Sequence, residues 1–271
     1  MHISVKSLWH YQDNMITSTA NAQVKNLVQL IKKAKVRTEQ GVYVVEGVKM
    51  FQEAPQNEIV KAYISEELYE KGTLNDRLAD ISYEVLKTEV FHHVSDTKTP
   101  QGILCVMKQK NYTLDQLMAG ENPLMLVLEN LQDPGNLGTM MRTAEGAGVT
   151  GVLLSRGCVD IYNPKTIRST MGSIYRVPFL YTDSLMEDME KLHEKGITTY
   201  AAHLKGTGYY NEASYCGATA FLIGNEGNGL SDELSEKAKR YIKIPMEGQL
   251  ESLNAAVAAA ILMYEASRQR R

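Results

Sequence analysis

The chain has 271 residues, 44% hydrophobic and 23% charged, which is the composition of a folded globular protein and excludes disordered and collagen-like classes. Its longest apolar run, Ala255 to Tyr264, is about half the ~20 residues needed to cross a bilayer, and MHISVKSLWHYQDN contains no apolar signal core, so neither membrane insertion nor secretion is expected. A net charge of -3 gives no global sign of nucleic acid, and three dispersed cysteines, Cys105, Cys158 and Cys216, form no CxxC pair, which argues for a reduced, cytoplasmic protein without a structural zinc or disulfide framework.

In chain order, Asn21 to Ala34 places Val24, Leu27, Val28, Leu30 and Ile31 at helical spacing and predicts an amphipathic helix. Between Asp13 and Glu39 there is no acid, while Lys25, Lys32, Lys33, Lys35 and Arg37 fall in that gap, so a small cationic face or an ordinary solvated helix side is expected here. VYVVE at 42–46 predicts a strand, Gly47 a turn, and VKMFQEA a return to helix. Strands at IVKAYIS and GILCVMK, with helical stretches at 66–71 and 89–95, complete a small α/β domain over residues 1–110. The segment 111–122 loses apolar periodicity and ends in Gly-x-x-Pro, which predicts a linker or connecting helix. Beyond it, over 123–271, the strands LMLVLEN, GVLLS, VPFLY, ITTYAAHL, AFLIG and YIKIPM alternate with helical or turn material, which predicts an α/β domain with a parallel sheet covered on both faces.

Ligands of open α/β sheets bind beyond the carboxyl ends of the strands, so the turns after these runs are where chemistry is expected. Three share an unusual composition. LQDPGNLGTMMRTAEGAG breaks at Pro134 and Gly135, offers Asn136 as a helix cap, and carries Arg142 nearly two turns on. GNEGNGLSDE has glycines at 224, 227 and 229 that admit close backbone approach, and Ser231 with Glu233 marks a helix start. EGQLESLNAAVAAAILMYEA sets Ser252 and Asn254 at the mouth of a long Ala-rich helix. Taken singly, each turn has an ordinary structural explanation in turn formation or capping. GNEGNG has its glycines in the wrong order for a dinucleotide fingerprint and no GxxxxGK[ST] exists, so NAD-dependent and triphosphate chemistry are disfavoured. His92 adjoins His93, His193-Glu194 lacks a second histidine, and no GxSxG occurs, so neither a metal site nor a serine hydrolase is expected.

Together and in this order, the three turns resemble the SpoU or TrmH-type RNA ribose 2'-O-methyltransferases of the SPOUT superfamily. The first motif is matched by Asn136, Gly138 and Arg142, the second by Gly224, Asn225, Glu226 and Gly229, the third by Ile244, Pro245, Met246, Ser252, Leu253 and Asn254. The stretch VKNLVQLIKKAKVRTEQGVYVVEGVKMFQEA resembles the family's ribosomal L30e-like substrate-binding domain, leaving residues 1–14 unassigned.

The resemblance implies a deep trefoil knot in the carboxy-terminal domain, where the pattern alone predicts an ordinary doubly wound sheet. It implies S-adenosyl-L-methionine as cofactor, held by Ile223, Gly224, Asn225, Gly229, Ile244, Met246, Leu253 and Asn254. It nominates Arg142, Asn136, Glu226, Ser252 and Asn254 for catalysis, with Asn136 able to hold Arg142 or the ribose and Glu226 able to orient Arg142 or the incoming nucleotide. The substrate implied is RNA, ribosomal (23S) rather than transfer RNA, with Lys32, Lys33, Lys35, Arg37, Arg142 and Arg168 as phosphate contacts. A homodimer through the carboxy-terminal domain follows from the same resemblance. The other expectations kept open are a tRNA methyltransferase and a catalytically idle RNA-binding assembly factor.

Overall fold

A computed structural model describes residues 15–203, 206 and 208–271. The extension 1–14 and the end of the expected ITTYAAHL strand, Leu204, lie outside the described residues. The first elements are α1 (Ala22–Lys32), α2 (Ala34–Gln40), β1 (Val42–Glu46), α3 (Val48–Glu53), β2 (Ile59–Ser65), α4 (Glu66–Glu70), α5 (Asn75–Leu78), β3 (Tyr83–Leu86), α6 (Thr88–Val94) and β4 (Ile103–Lys108). There follow α7 (Leu114–Leu117), β5 (Leu124–Leu128), α8 (Pro134–Ala147), β6 (Gly151–Ser155), α9 (Pro164–Thr170), β7 (Phe179–Thr182), α10 (Leu185–Glu194), β8 (Thr198–Ala202), β9 (Gly208–Tyr209), β10 (Thr219–Ile223), α11 (Asp232–Lys237), β11 (Arg240–Lys243) and α12 (Ala255–Gln269). The described residues fall into two compact units, those of 15–110 with 162–172, and those of 111–161 with 173–271.

The amino-terminal unit is built on a mixed four-stranded sheet in the order β1-β4-β2-β3. β4 runs antiparallel to β1 and β2, while β3 joins β2 in parallel. The apolar stripe of α1, Val24, Leu27, Leu30 and Ile31, packs with Val90, Phe91 and Val94 of α6 over Val44, Tyr63, Leu86 and Leu104 of the sheet. Asn21 starts α1 by accepting a hydrogen bond from the Gln23 amide at 2.8 Å. The alternate strand positions Tyr43, Val45, Ile64 and Cys105 are buried too, so both faces of this sheet are covered. β3 gives no signal in the sequence because YEVL has four residues and a charge, and it takes its order from pairing with β2.

The second unit carries a seven-stranded sheet in the order β7-β6-β5-β10-β8-β11-β9, parallel at every pairing. Every residue of β5 and β10 is buried, as expected of central parallel strands sandwiched by helices. Met125, Val127, Ala220 and Leu222 share a core with Leu185, Met189 and Leu192 of α10 and Leu234 of α11. α8 and α12 pack against each other, burying Leu137, Met140, Met141 and Ala144 from one helix and Ala256, Ala259, Leu262 and Met263 from the other. Replacing a fully buried leucine such as Leu126 by alanine should cost about 2–5 kcal/mol here.

Residues 111–122, expected to link the domains, are built into this second unit. Thr113 and Gln116 form a reciprocal capping box, and Leu117 is fully buried with Met125 and Leu153. A Cβ on Gly151 would lie 2.3 Å from the Leu117 side chain, which is why β6 begins with glycine. Among the described residues no helix is long and apolar enough to cross a membrane.

Candidate active site

Parallel pairing of β5 with β10 brings Leu128 opposite Ile223, so the turns leaving these strands emerge side by side. The Glu129 amide donates to the Ile223 carbonyl at 2.9 Å, and the Glu129 carboxylate then receives both the amide and the hydroxyl of Ser231 at 2.7 Å. Ser231 at the same time caps α11 through the Leu234 amide. The turn after β10 closes on itself. Asn225 and Gly229 exchange two backbone hydrogen bonds, and Asn225 Oδ1 accepts from the amides of Gly227 and Asn228. A Cβ on Gly224 would lie 2.1 Å from the Gly229 carbonyl carbon, so only glycine permits this closure.

The helix after β5 starts at Asp133, whose carboxylate accepts from the Asn136 amide at 2.7 Å with Pro134 in the first helical position. The sequence offers Asn136 as the cap instead. Because Asp133 takes that duty, the Asn136 side chain is released, and it donates to Glu226 Oε1 at 3.0 Å while accepting from Asn254 Nδ2 at 3.0 Å. Asn254 itself caps α12, its Oδ1 accepting from the amides of Ala256 and Val257. One neutral amide thus joins all three motif turns.

Glu226 also accepts from the backbone amides of Gln132 at 3.0 Å and Asp133 at 2.9 Å. Burial raises its pKa, but the Gln132 amide, the Asn136 side chain and the Asp133 amide outweigh that and hold the carboxyl below its ordinary value. Glu226 therefore clamps two turns together, and no hydrogen bond joins it to Arg142 among the described residues. Asn136 does not hold Arg142 either. Arg142 is exposed on α8 and has no hydrogen-bond or ion-pair partner among the described residues.

The remaining expected residues divide by what they touch. Ile223 and Gly224 are buried, and Ile244, Met246 and Leu253 are half-buried. Asn225 spends its side chain inside the turn and on the Asn130 carbonyl at 2.8 Å, so it shapes the loop and offers no free polar group. Ser252 is exposed and has no hydrogen-bond partner among the described residues.

Lys32, Lys33 and Lys35 are exposed where α1 gives way to α2. Arg37 corrects the expectation of a fourth surface cation. It is only 4% exposed, and its Nη1 donates to the Leu30 carbonyl at 2.6 Å and the Ile31 carbonyl at 3.1 Å, satisfying the open end of α1. Arg168 belongs to the amino-terminal unit, not the second, and pairs with Asp96 at 2.9 Å. Sequence reasoning misses Gln132 and Asp133, although Asp immediately before Pro at a helix start is an available signal.

The chain matches the SpoU rRNA Methylase family over residues 123–264 and the MRM3-like substrate binding domain over residues 21–105. It is 35% identical to the 23S rRNA (guanosine(2553)-2'-O)-methyltransferase RlmP of Bacillus subtilis, with 92% of this chain and 97% of that protein covered. Among solved structures it is similar to the SpoU methyltransferase AviRb from Streptomyces viridochromogenes in complex with AdoMet, at TM-score 0.84 and 25% identity, covering 92% of this chain and 98% of that one. It is likewise similar to an AdoMet-bound rRNA methyltransferase from Sinorhizobium meliloti, at TM-score 0.82 and 28% identity, covering 94% and 97% of the two chains.

Proposed function

The chain belongs to the SpoU rRNA methylase family, and from that premise we propose that it methylates a ribose 2'-hydroxyl in 23S ribosomal RNA, using S-adenosyl-L-methionine. Methylation of rRNA at the ribose is the family's reaction; the 23S molecule as target rests on the similarity to RlmP. The observation that carries the reading is the Glu226–Asn136–Asn254 chain, because it brings together the three turns whose order carries the resemblance.

The residues present fit the cofactor. The closed Gly224–Gly229 turn admits no Cβ at its base, and of the apolar residues in the second and third motifs Ile223 is buried while Ile244, Met246 and Leu253 are half-buried. We assign these four, the glycine backbone and Asn254 to holding it. When bound, S-adenosyl-L-methionine supplies an electrophilic methyl group on a sulfonium.

The chain's own residues must bind RNA, place the ribose oxygen in line and stabilise its loss of a proton. Arg142, exposed and unpartnered among the described residues, is the group we assign to the ribose and its phosphate. A guanidinium is a permanently charged hydrogen-bond donor with no acceptor site, so its role is positioning and charge stabilisation. Glu226 and Asn136 hold the turns in register, and Ser252, with its hydroxyl free of partners among the described residues, is available to substrate.

Lys32, Lys33 and Lys35 supply a local phosphate-binding patch on an otherwise acidic chain. We further propose a cytoplasmic homodimer formed through α12, where Val257 and Tyr264, 48% and 49% exposed, lie seven residues apart on one helix face. The trefoil knot and the L30e-like character of the first domain, with 1–110 binding substrate and 123–271 carrying catalysis, belong to the same proposal.

Radiolabelled methyl transfer to purified unmodified rRNA and, separately, to bulk tRNA tests the reading. Label in 23S rRNA that survives alkaline hydrolysis as a resistant dinucleotide is the expected result. Label confined to tRNA overturns the substrate, and no label in either pool, with RNA still bound, favours an idle RNA-binding factor.

A further inference from the structure

On α8, Glu145 stands three residues beyond Arg142, a spacing at which helical side chains are neighbours and opposite charges pair. It is the only carboxylate within one turn of Arg142 along this helix. Left to itself, such a pair would occupy the guanidinium that RNA must use. Yet Arg142 has no partner among the described residues, and Glu145 is engaged elsewhere. Its Oε1 accepts from Arg176 Nε, and its Oε2 accepts from the Ser173 hydroxyl at 2.5 Å and from Arg176 Nη2 at 3.2 Å.

We propose that Ser173 and Arg176 are positioning residues for methyl transfer, holding the Glu145 carboxylate so that Arg142 stays open to the substrate. Both oxygens of Glu145 are taken by donors that lie outside α8, and Arg176 closes on it through two nitrogens, a geometry stronger than a single helical contact. The Arg176 hydrogen bonds, opposed by burial and aided by Ser173, hold the Glu145 carboxyl below its ordinary range, the direction expected of a carboxylate paired with a guanidinium. The segment that carries Ser173 and Arg176 thus acts on the reacting centre through Glu145. The proposal rests on Arg142 being required for methyl transfer.

The test compares full-length Arg142→Ala, Arg176→Gln and the double variant Arg176→Gln/Glu145→Gln with the parent in methyl transfer to unmodified rRNA, with melting temperatures recorded alongside. Arg176→Gln should lower kcat/KM by about threefold or more, since the released carboxylate then competes for Arg142. The double variant should recover most of that loss, because a neutral glutamine does not compete. A merely structural Arg176 would leave the double variant as impaired as the single one, which overturns the proposal, as does an Arg176→Gln rate within about twofold of the parent. If Arg176→Gln does not fold, Ser173→Ala with and without Glu145→Gln makes the same comparison: loss followed by recovery is expected, and loss without recovery, or no loss, overturns the proposal. A fully active Arg142→Ala instead overturns the assignment of Arg142 itself, an outcome the other variants cannot mimic.

Discussion

Arg37 and Arg142 sit on helices of different units, and both suggest by sequence a cation turned towards RNA. Their surroundings make them opposites. Arg37 follows a break between two helices, where the carbonyls of Leu30 and Ile31 have no amides above them, and its guanidinium folds back to satisfy them. Arg142 lies in the middle of a continuous helix whose carbonyls are already spent on the next turn, and the nearest acid on that helix is held by Arg176. An arginine near a helix end is thus drawn into structure, and one in mid-helix with no free acid nearby stays available to a ligand.

Four measurements would break or sharpen that contrast. The largest effect is expected for Arg142→Ala, with methyl transfer lowered about 100-fold or more while thermal unfolding is unchanged, read by paired activity and melting assays. Arg37→Ala should do the reverse, costing about 1.5–3 kcal/mol in denaturant unfolding through two orphaned carbonyls, with kcat close to the parental value. A strong loss of turnover without loss of stability in Arg37→Ala would erase the distinction.

Glu226→Gln should soften the active-site turns. In the parent, Glu226 is held below its ordinary carboxyl value of 4.5, so its ionisation stabilises the folded state fully above that pH, and the contribution is lost as pH falls through the depressed value. The stability of Glu226→Gln should accordingly fall less steeply on the acid side, as followed by unfolding across pH. The smallest effect on the fold is expected for Lys32→Ala/Lys33→Ala/Lys35→Ala. RNA affinity should weaken and the salt dependence of binding become shallower by up to about three phosphate contacts, with unfolding unchanged.

Much of the architecture is legible in local pattern. The 24, 27, 30, 31 stripe of α1 and the apolar runs of β5, β6 and β10 announce their elements because burial repeats at the period of the backbone. The segment 111–122 reads as a linker for the same reason, since α7 is one turn long and has no room for a period, and its order comes from Leu117 filling the space beside Gly151. At the site, the order of the motifs already selects the family, and the glycines of the second motif already mark a tight turn.

What the sequence determined by itself was therefore local: which segments bury an apolar face, where chain direction changes, and which three turns carry unusual chemistry. Which polar group meets which was decided only by the tertiary structure. Asn136 satisfies the rules for a cap as well as Asp133 does, and only the pairing of β5 with β10 brings Glu226 close enough to claim its amide. Arg37 and Arg142 are chemically identical in the sequence, and the open carbonyls at one helix end gave them different work. Hydrogen-bond partners separated by 90 to 118 residues have no periodic signature, because their meeting depends on strand order and not on spacing.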